Sequence, residues 1–253
     1  MDKQLVQAQF GTHAADYIHS KPHAKGKSLG RLVELVAPQA DWQVLDVATG
    51  AGHTAFAFAP LVGQVWATDM TAEMLAIVQQ QAAERGLANV TAEYAEAEAL
   101  PYGDGRFHLV ICRIAAHHFA DIPRFMAEAA RVLRPGGVLA VVDNVVPAGP
   151  AGDYVNAFEK LRDVSHGRCL SLAEWEQAYT AAGLALTQVE TIDKQMEFTP
   201  WAARHDATMQ RYLRAMLTEV QGAAAEFLRP SVTDNDTTFY LQEAILVGRK
   251  EEG

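Results

Sequence analysis

Val44-Leu45-Asp46-Val47-Ala48-Thr49-Gly50-Ala51-Gly52-His53-Thr54-Ala55 is the stretch whose reading decides the fold. A short apolar run ends around an acid, two glycines follow four and six residues after it, and a helix-like pattern begins. The segment reads as a buried strand that breaks into a glycine turn at a helix N-terminus. Gly50 and Gly52 can adopt turn conformations closed to other residues and let a ligand lie against bare backbone. The motif therefore predicts a cofactor cradle at the end of a central strand.

Outward from this cradle the chain alternates between two periods. Toward the N-terminus, residues 5–37 read as helical, with Leu29, Leu32, Val33, Leu35 and Val36 on one face and Pro38 closing the run. Strands are expected at 42–47, 64–69, 90–94, 107–112 and 138–143. Helices are expected between them at 52–61, 71–85 and 121–133, with Thr71 as an N-cap and Gly86 as a stop. Strands separated by helices at this spacing imply a parallel sheet covered on both faces, with ligands at the carboxyl ends of its strands. Asp46, Asp69, Arg113 and Asp143 all fall at such ends. Beyond Pro147 the pattern becomes mostly helical: helices at 153–164 and 171–182, a sixth strand at 184–191, one long helical region at 200–228 and a last strand at 237–247. The chain reads as one domain over 1–253. Residues 1–40 form a helical cap, 41–147 the cofactor-binding core, 148–236 a helical lid with the sixth strand, and 237–253 the last strand and tail.

Composition narrows the function classes. A chain of 253 residues that is 49% hydrophobic and 21% charged is an ordinary globular sequence with enough length for a substantial core. A net charge of −10 disfavours nucleic acid and anionic membrane surfaces as partners. No apolar run approaches a membrane span and the N-terminus lacks a signal-peptide pattern, so a cytoplasmic protein is expected. Cys112 lies within an apolar run and reads as a core thiol, and the two cysteines have no metal-ligand spacing.

Gly50-Ala51-Gly52-His53-Thr54-Ala55 fits G-x-G-x-x-A, and Asp69 follows Gly50 by 19 residues, which on spacing alone also suits a nicotinamide dinucleotide. Asp46 separates the two readings. A carboxylate beside a pyrophosphate at a helix N-terminus is repelled, whereas an acid beside the ammonium of a sulfonium cofactor is attracted. The segment thus favours S-adenosylmethionine, leaving a nicotinamide-dependent oxidoreductase as the alternative. Asp69 can accept both ribose hydroxyls, and Met70 can cover the adenine face. Arg113-Ile114-Ala115-Ala116-His117-His118-Phe119 follows the fourth strand. Arg113 carries forked donors for a carboxylate. Adjacent histidines on a turn rarely meet at one ion, so no metal is expected, and His118 reads as a polar group or base near neutrality, with His117 and Asp143 behind it.

Together these motifs resemble a class I S-adenosylmethionine-dependent methyltransferase, within that class the ubiquinone/menaquinone-biosynthesis-like (methyltransferase type 11) small-molecule enzymes. Asp46-Val-Ala-Thr-Gly50-Ala-Gly52 matches the first family motif, including Ala48 and Thr49. Asp69 matches its ribose-binding acid, and Arg131-Val-Leu-Arg-Pro-Gly-Gly137 its turn into the fifth strand. Glu96-Ala97-Glu98-Ala99-Leu100-Pro101-Tyr102 resembles its segment before the fourth strand. There the first acid, Glu96 where Asp is more usual, contacts the adenine amino group and the backbone of Ala97 the ring. Phe10-Gly11 and Tyr17-Ile18-His19-Ser20 resemble an entrance segment in which Tyr17 contacts the methionine portion. The resemblance implies an α/β doubly wound, Rossmann-like, mostly parallel seven-stranded sheet with its last strand antiparallel, an N-terminal helical cover and a C-terminal lid. The expected activity is methyl transfer to a small organic acceptor by a monomer or homodimer, releasing S-adenosylhomocysteine. A protein that binds the cofactor without turnover is a further alternative.

Overall fold

A computed structural model describes residues 27–233 and 236–252; the expected contacts of Phe10, Tyr17, His19 and Ser20 lie outside the described residues. Helix α1 (Lys27–Val36) leads to β1 (Gln43–Val47), α2 (His53–Phe58) with a 3-10 turn at Ala59–Leu61, β2 (Gln64–Asp69), α3 (Ala72–Glu84) and β3 (Val90–Tyr94). Next come β4 (Phe107–Arg113), a 3-10 turn at Ala116–His118, α4 (Ile122–Val132) and β5 (Leu133–Val145). The C-terminal part comprises α5 (Pro150–Arg162), α6 (Leu172–Ala181), β6 (Leu184–Glu197), α7 (Phe198–Ala202), α8 (Ala207–Glu219), α9 (Gly222–Leu228), β7 (Ser231–Val232) and β8 (Thr237–Lys250).

The strands form one sheet in the order β3-β2-β1-β4-β5-β8-β6, with the two-residue β7 added on β8. Strands β3 to β5 pair in parallel, and β8 runs antiparallel to both β5 and β6. This is the seven-stranded, mostly parallel arrangement with an antiparallel last strand. Strand order reverses between β1 and β4, so the crevice beyond their carboxyl ends is the natural ligand position.

Alternation within the strands divides the core into two layers. Leu45, Val47, Val110, Cys112, Leu139 and Val141 face one side, against Phe125, Met126 and Ala129 of α4 and Trp175 and Tyr179 of α6. Val44, Val65, Leu109, Ile111, Ala140 and Val142 face the other, against Leu32 and Val36 of α1, Phe56 and Phe58 of α2 and Val78 of α3. Cys112 is fully buried among the first set, a core thiol. A third cluster joins Val155 and Phe158 of α5, Phe198 and Trp201 of α7, Leu213 and Leu217 of α8, and Phe239 and Leu241 of β8. It sits against the long antiparallel pair of β6 and β8.

Several expectations shift. Strand β5 starts at Leu133 rather than 138, because Leu133 pairs with Phe107 before the register is interrupted and resumes at Leu109↔Val138. Strand β6 runs to Glu197 rather than 191; its outer half carries Glu190, Asp193, Lys194 and Glu197, polar residues suited to an edge strand whose pairing with β8 the local composition does not reveal. The helical region at 200–228 is three helices, with Asp206 accepting the Met209 N–H at a new helix start. Thr71 does occupy an N-cap position but its side chain makes no capping bond; Asp69 accepts the Thr71 N–H at 2.9 Å instead.

Candidate functional site

The turn after β1 is held by backbone bonds: Thr49 N–H to the Thr68 carbonyl at 2.8 Å and Gly52 N–H to the Thr49 carbonyl at 3.0 Å. Ala48, Gly50 and Gly52 all have positive φ, at 53°, 55° and 84°. A Cβ on Gly50 would meet nothing within 4 Å, because that position borders open space. A Cβ on Gly52 would meet the Phe56 ring at 2.7 Å and Val78 at 3.1 Å, because that position is pressed between α2 and α3. The two glycines thus differ: Gly52 lets the turn pack, and Gly50 leaves the cleft clear.

Two acids flank this turn. Asp46 is buried at the end of β1, where one carboxylate oxygen accepts the Thr49 hydroxyl at 2.6 Å and the Ala55 N–H at 3.1 Å. Burial pushes its pKa up to about 7, against the opposing effects of the Thr49 hydroxyl and the Arg113 charge. Asp69, buried at the end of β2, accepts the Gly50 N–H on one oxygen and the Thr71 N–H on the other, each at 2.9 Å. Burial raises its pKa as well, while these backbone bonds oppose the rise. A carboxylate oxygen has two lone pairs, so both Asp69 oxygens retain accepting capacity.

The cleft is partly enclosed and partly open to solvent. Asp46, Ala48, Thr49 and Gly50 line one wall, Asp69, Met70, Thr71 and Met74 a second, and Ala95, Ala97 and Glu98 a third. Arg113, Ile114, His118 and Phe119 complete it from the end of β4 and the turn beyond. Arg113 is buried and donates from Nε to the Thr54 hydroxyl at 2.9 Å. Its position beside Asp46 balances charge across the turn.

The 3-10 turn at Ala116–His118 sorts the histidines. His117 points away from the cleft: its backbone N–H donates to Asp143 at 2.8 Å and its Nδ1–H to the other Asp143 oxygen at 2.5 Å. Burial disfavours the His117 cation, but the Asp143 charge and hydrogen bond, with Glu159 and Asp163, override it and raise the pKa. The Asp143 pKa is lowered: burial opposes ionisation, and the His117 charge and hydrogen bond outweigh it. His118, half-buried at the cleft edge, donates from Nδ1 to the Ser165 carbonyl at 2.8 Å. Burial and the neighbouring His117 charge push its pKa down to about 3, so the ring is neutral near pH 7.

Of the residues singled out from sequence, Asp46, Ala48, Thr49, Gly50, Asp69, Met70, Ala97, Arg113 and His118 border this one cleft, with Gly52 shaping its turn from behind. Glu96 does not border it and accepts the Tyr94 hydroxyl at 3.1 Å. His117 and Asp143 stand behind His118. Tyr17 lies outside the described residues. Sequence reasoning passed over Glu98, Thr54 and His53. Thr54 and His53 were legible as the first helical residues after the glycines. Glu98 was not, because its side chain is held by accepting the distant Ala120 N–H. Among the described residues, no three His, Cys, Asp or Glu side chains converge on a metal position.

These features fit S-adenosylmethionine. The cradle carries no Cβ at its open glycine, Asp69 keeps lone pairs for vicinal hydroxyls, buried Asp46 supplies negative character for a cationic ligand, and Met70, Met74 and Ala97 supply apolar cover. The family model described as "Methyltransferase domain" matches residues 44–137, the segment that builds the cradle and the first five strands up to the turn in β5. The chain is 35% identical to the uncharacterized methyltransferase YcgJ of Bacillus subtilis (strain 168), over 87% of each chain. The crystal structure of YcgJ superposes with a TM-score of 0.85 at 33% identity, covering 89% of this chain and 99% of that one. The ubiquinone/menaquinone biosynthesis C-methyltransferase UbiE of Bdellovibrio bacteriovorus is 38% identical over 45% of this chain and 48% of its own. The nicotinamide alternative finds no support in these relatives. Fold, cradle and relatives agree that this chain belongs to the class I S-adenosylmethionine-dependent methyltransferases.

Proposed function

We propose that this enzyme methylates a small organic acceptor that enters the cleft from the side of His118 and Phe119. The supporting observation is the division of the cleft walls. The glycine turn, Asp46, Asp69 and Met70 lie on one side, and the turn after β4 with His118 and Phe119 lies on the other. Asp69 and Met70 would hold the nucleoside of the donor, Ala97 would border its base, and Asp46, Arg113 and the Ala48–Gly50 backbone would hold its amino-acid end. When bound, S-adenosylmethionine supplies an already activated methyl group on a sulfonium, so the protein need not form a covalent intermediate. The chain's work is to orient the acceptor and exclude water. His118, neutral in the cleft wall, accepts a hydrogen bond from an acceptor O–H or N–H and aligns its lone pair. A cationic imidazole there would oppose a positively charged donor. With a pKa of about 3 it is a weak base, so its contribution is orientation more than proton storage.

A thermal-shift series with S-adenosylhomocysteine, S-adenosylmethionine and NAD(H), followed by a radiolabelled methyl-transfer screen over phenolic, quinone-like, carboxylic and amine acceptors, tests this reading. Stabilisation by the first two and labelled product from a small acceptor are expected. Binding without turnover across the screen would favour a non-catalytic cofactor-binding protein. His118→Ala should leave S-adenosylhomocysteine affinity within about twofold and lower kcat by about 10- to 100-fold, the low end of what one positioned polar group supplies. Unchanged turnover would remove His118 from the acceptor side.

A further inference from the structure

His117 and Asp143 lie outside the cleft lining, yet they form a buried pair directly behind His118, which borders it. Asp143, at the end of β5, accepts both the backbone N–H and the Nδ1–H of His117, which fixes that ring's position and tautomer. The His117 carbonyl in turn accepts the N–H groups of Gly167 at 2.7 Å and Arg168 at 3.1 Å, tying the loop after α5 to the histidine turn. On that loop Asp163 accepts both the Ser165 N–H at 2.9 Å and the Ser165 hydroxyl at 2.6 Å. The Ser165 carbonyl is thereby aimed at His118 Nδ1. A carbonyl only accepts, so His118 carries its proton on Nδ1, and Nε2 is the lone-pair nitrogen. The His117 and His118 ring centroids are 4.1 Å apart.

We propose that the His117–Asp143 pair, with the Asp163–Ser165 loop, is a positioning device that holds cleft-lining His118 as a neutral imidazole with an unprotonated Nε2. The proposal rests on the reading of His118 as the acceptor-side group and extends it to the residues that act through it. The physical basis is proximity. Two buried imidazoles at this separation repel if both are charged, and the single proton goes to the ring that faces a carboxylate. His117 faces Asp143 from β5, Glu159 from α5, and Asp163 and His166 from the following loop. His118 faces His117, the Ser165 carbonyl and, at longer range, Asp163 and Asp143. His166 donates from Nε2 to the Asn156 side-chain oxygen, which also accepts the Cys169 N–H. Nearby charges on His117 and Lys160 disfavour its protonation after burial does. The cluster therefore favours a proton on His117, beside Asp143, over one on either neighbouring ring. That arrangement keeps positive charge on the far side of the histidine turn from a cleft suited to a cationic donor.

Imidazole long-range proton–nitrogen spectra of the 15N-labelled full chain, assigned with His117→Gln, His118→Gln and His166→Gln, test this directly. In the wild-type protein His118 should show the Nδ1–H tautomer at pH 7 and stay neutral to pH 5, while His117 titrates above the ordinary histidine midpoint. Asp143→Asn should lower the His117 midpoint and raise that of His118 by about one pH unit or more as its neighbouring charge is lost. His117→Phe, which keeps the backbone bond to Asp143, should raise the His118 midpoint in the same direction and serves where Asp143→Asn does not fold. A proton on His118 Nε2 in the wild type, or a His118 midpoint unmoved in a folded variant, overturns the proposal. Failure of S-adenosylhomocysteine to stabilise the wild type would instead overturn the cofactor reading and leave the histidine order standing.

Discussion

Gly52→Ala, set against Gly50→Ala, separates packing from ligand space in the glycine turn. Gly52 sits at φ 84°, and an added Cβ would lie 2.7 Å from the Phe56 ring tip and 3.1 Å from Val78. Left-handed backbone costs a residue with a Cβ roughly 1–2 kcal/mol, and forcing a methyl into a packed layer adds roughly 1–3 kcal/mol. Phe56 is buried and capped by the Arg85 guanidinium 4.5 Å from its ring centre, so its escape is restricted. The expected loss is about 2–5 kcal/mol, which for a chain of this size lowers Tm by roughly 4–20 °C. Gly50→Ala is the internal control. Its φ is 55° and its Cβ would meet nothing, so only the backbone strain of about 1–2 kcal/mol applies, or roughly 2–8 °C. Its methyl would instead stand in the cleft and weaken S-adenosylhomocysteine binding. Calorimetry of both empty variants, then with ligand, gives the comparison. If Gly52→Ala melts no lower than Gly50→Ala, the close approach of α2 and α3 at Gly52 is not what the glycine serves.

Three further outcomes follow from the same geometry. Asp46 has its folded pKa raised from 3.8 to about 7 by burial, so the empty protein gains stability from it below about pH 4 and loses that gain as pH rises to about 7; Asp46→Asn, which can keep both local hydrogen bonds, should stabilise the empty protein by at most about 4 kcal/mol at pH 8 and by little at pH 4, and a pH-independent difference in denaturant melts would refute the burial argument. Asp69→Asn replaces an oxygen that accepts a backbone N–H with a donor, and should weaken S-adenosylhomocysteine binding by about 30-fold or more, at roughly 2 kcal/mol or more for hydrogen bonds to a charged group; affinity within threefold in a titration would exclude Asp69 from ligand contact. Arg131 donates to the Leu100 and Tyr102 carbonyls and pairs with Glu128, which also accepts the Leu100 N–H, so Arg131→Ala should cost about 2–4 kcal/mol and raise hydrogen exchange across 100–104 before the rest of the chain.

Local signals reach as far as local physics does. The strand ends at Asp46, Asp69 and Arg113 are legible because apolar runs stop there and helices restart, and the structure brings all three to one cleft. Asp143 lies at the same edge by the same logic but points to the opposite layer. Strand alternation places it with Val141 and Val145, while Arg113 lies with Leu109 and Ile111 on the other face. Glu96 and Glu98 look interchangeable in sequence, yet Glu98 lines the cleft and accepts the distant Ala120 N–H, while Glu96 accepts the Tyr94 hydroxyl. The outer half of β6 reads as polar coil because its pairing with β8 joins residues far apart in the chain.

The chain's own sequence determined the alternating fold, the glycine cradle, the acids beside it and hence the methyl donor, because those features depend on periodicity and on short-range turn chemistry. Tertiary structure alone decided the order of the three histidines: which ring borders the cleft, which pairs with Asp143, and which meets the Asn156 side chain. The cause is that burial and neighbouring charge, set by β5, α5 and the loop after it, move a histidine's protonation by more than its intrinsic chemistry does.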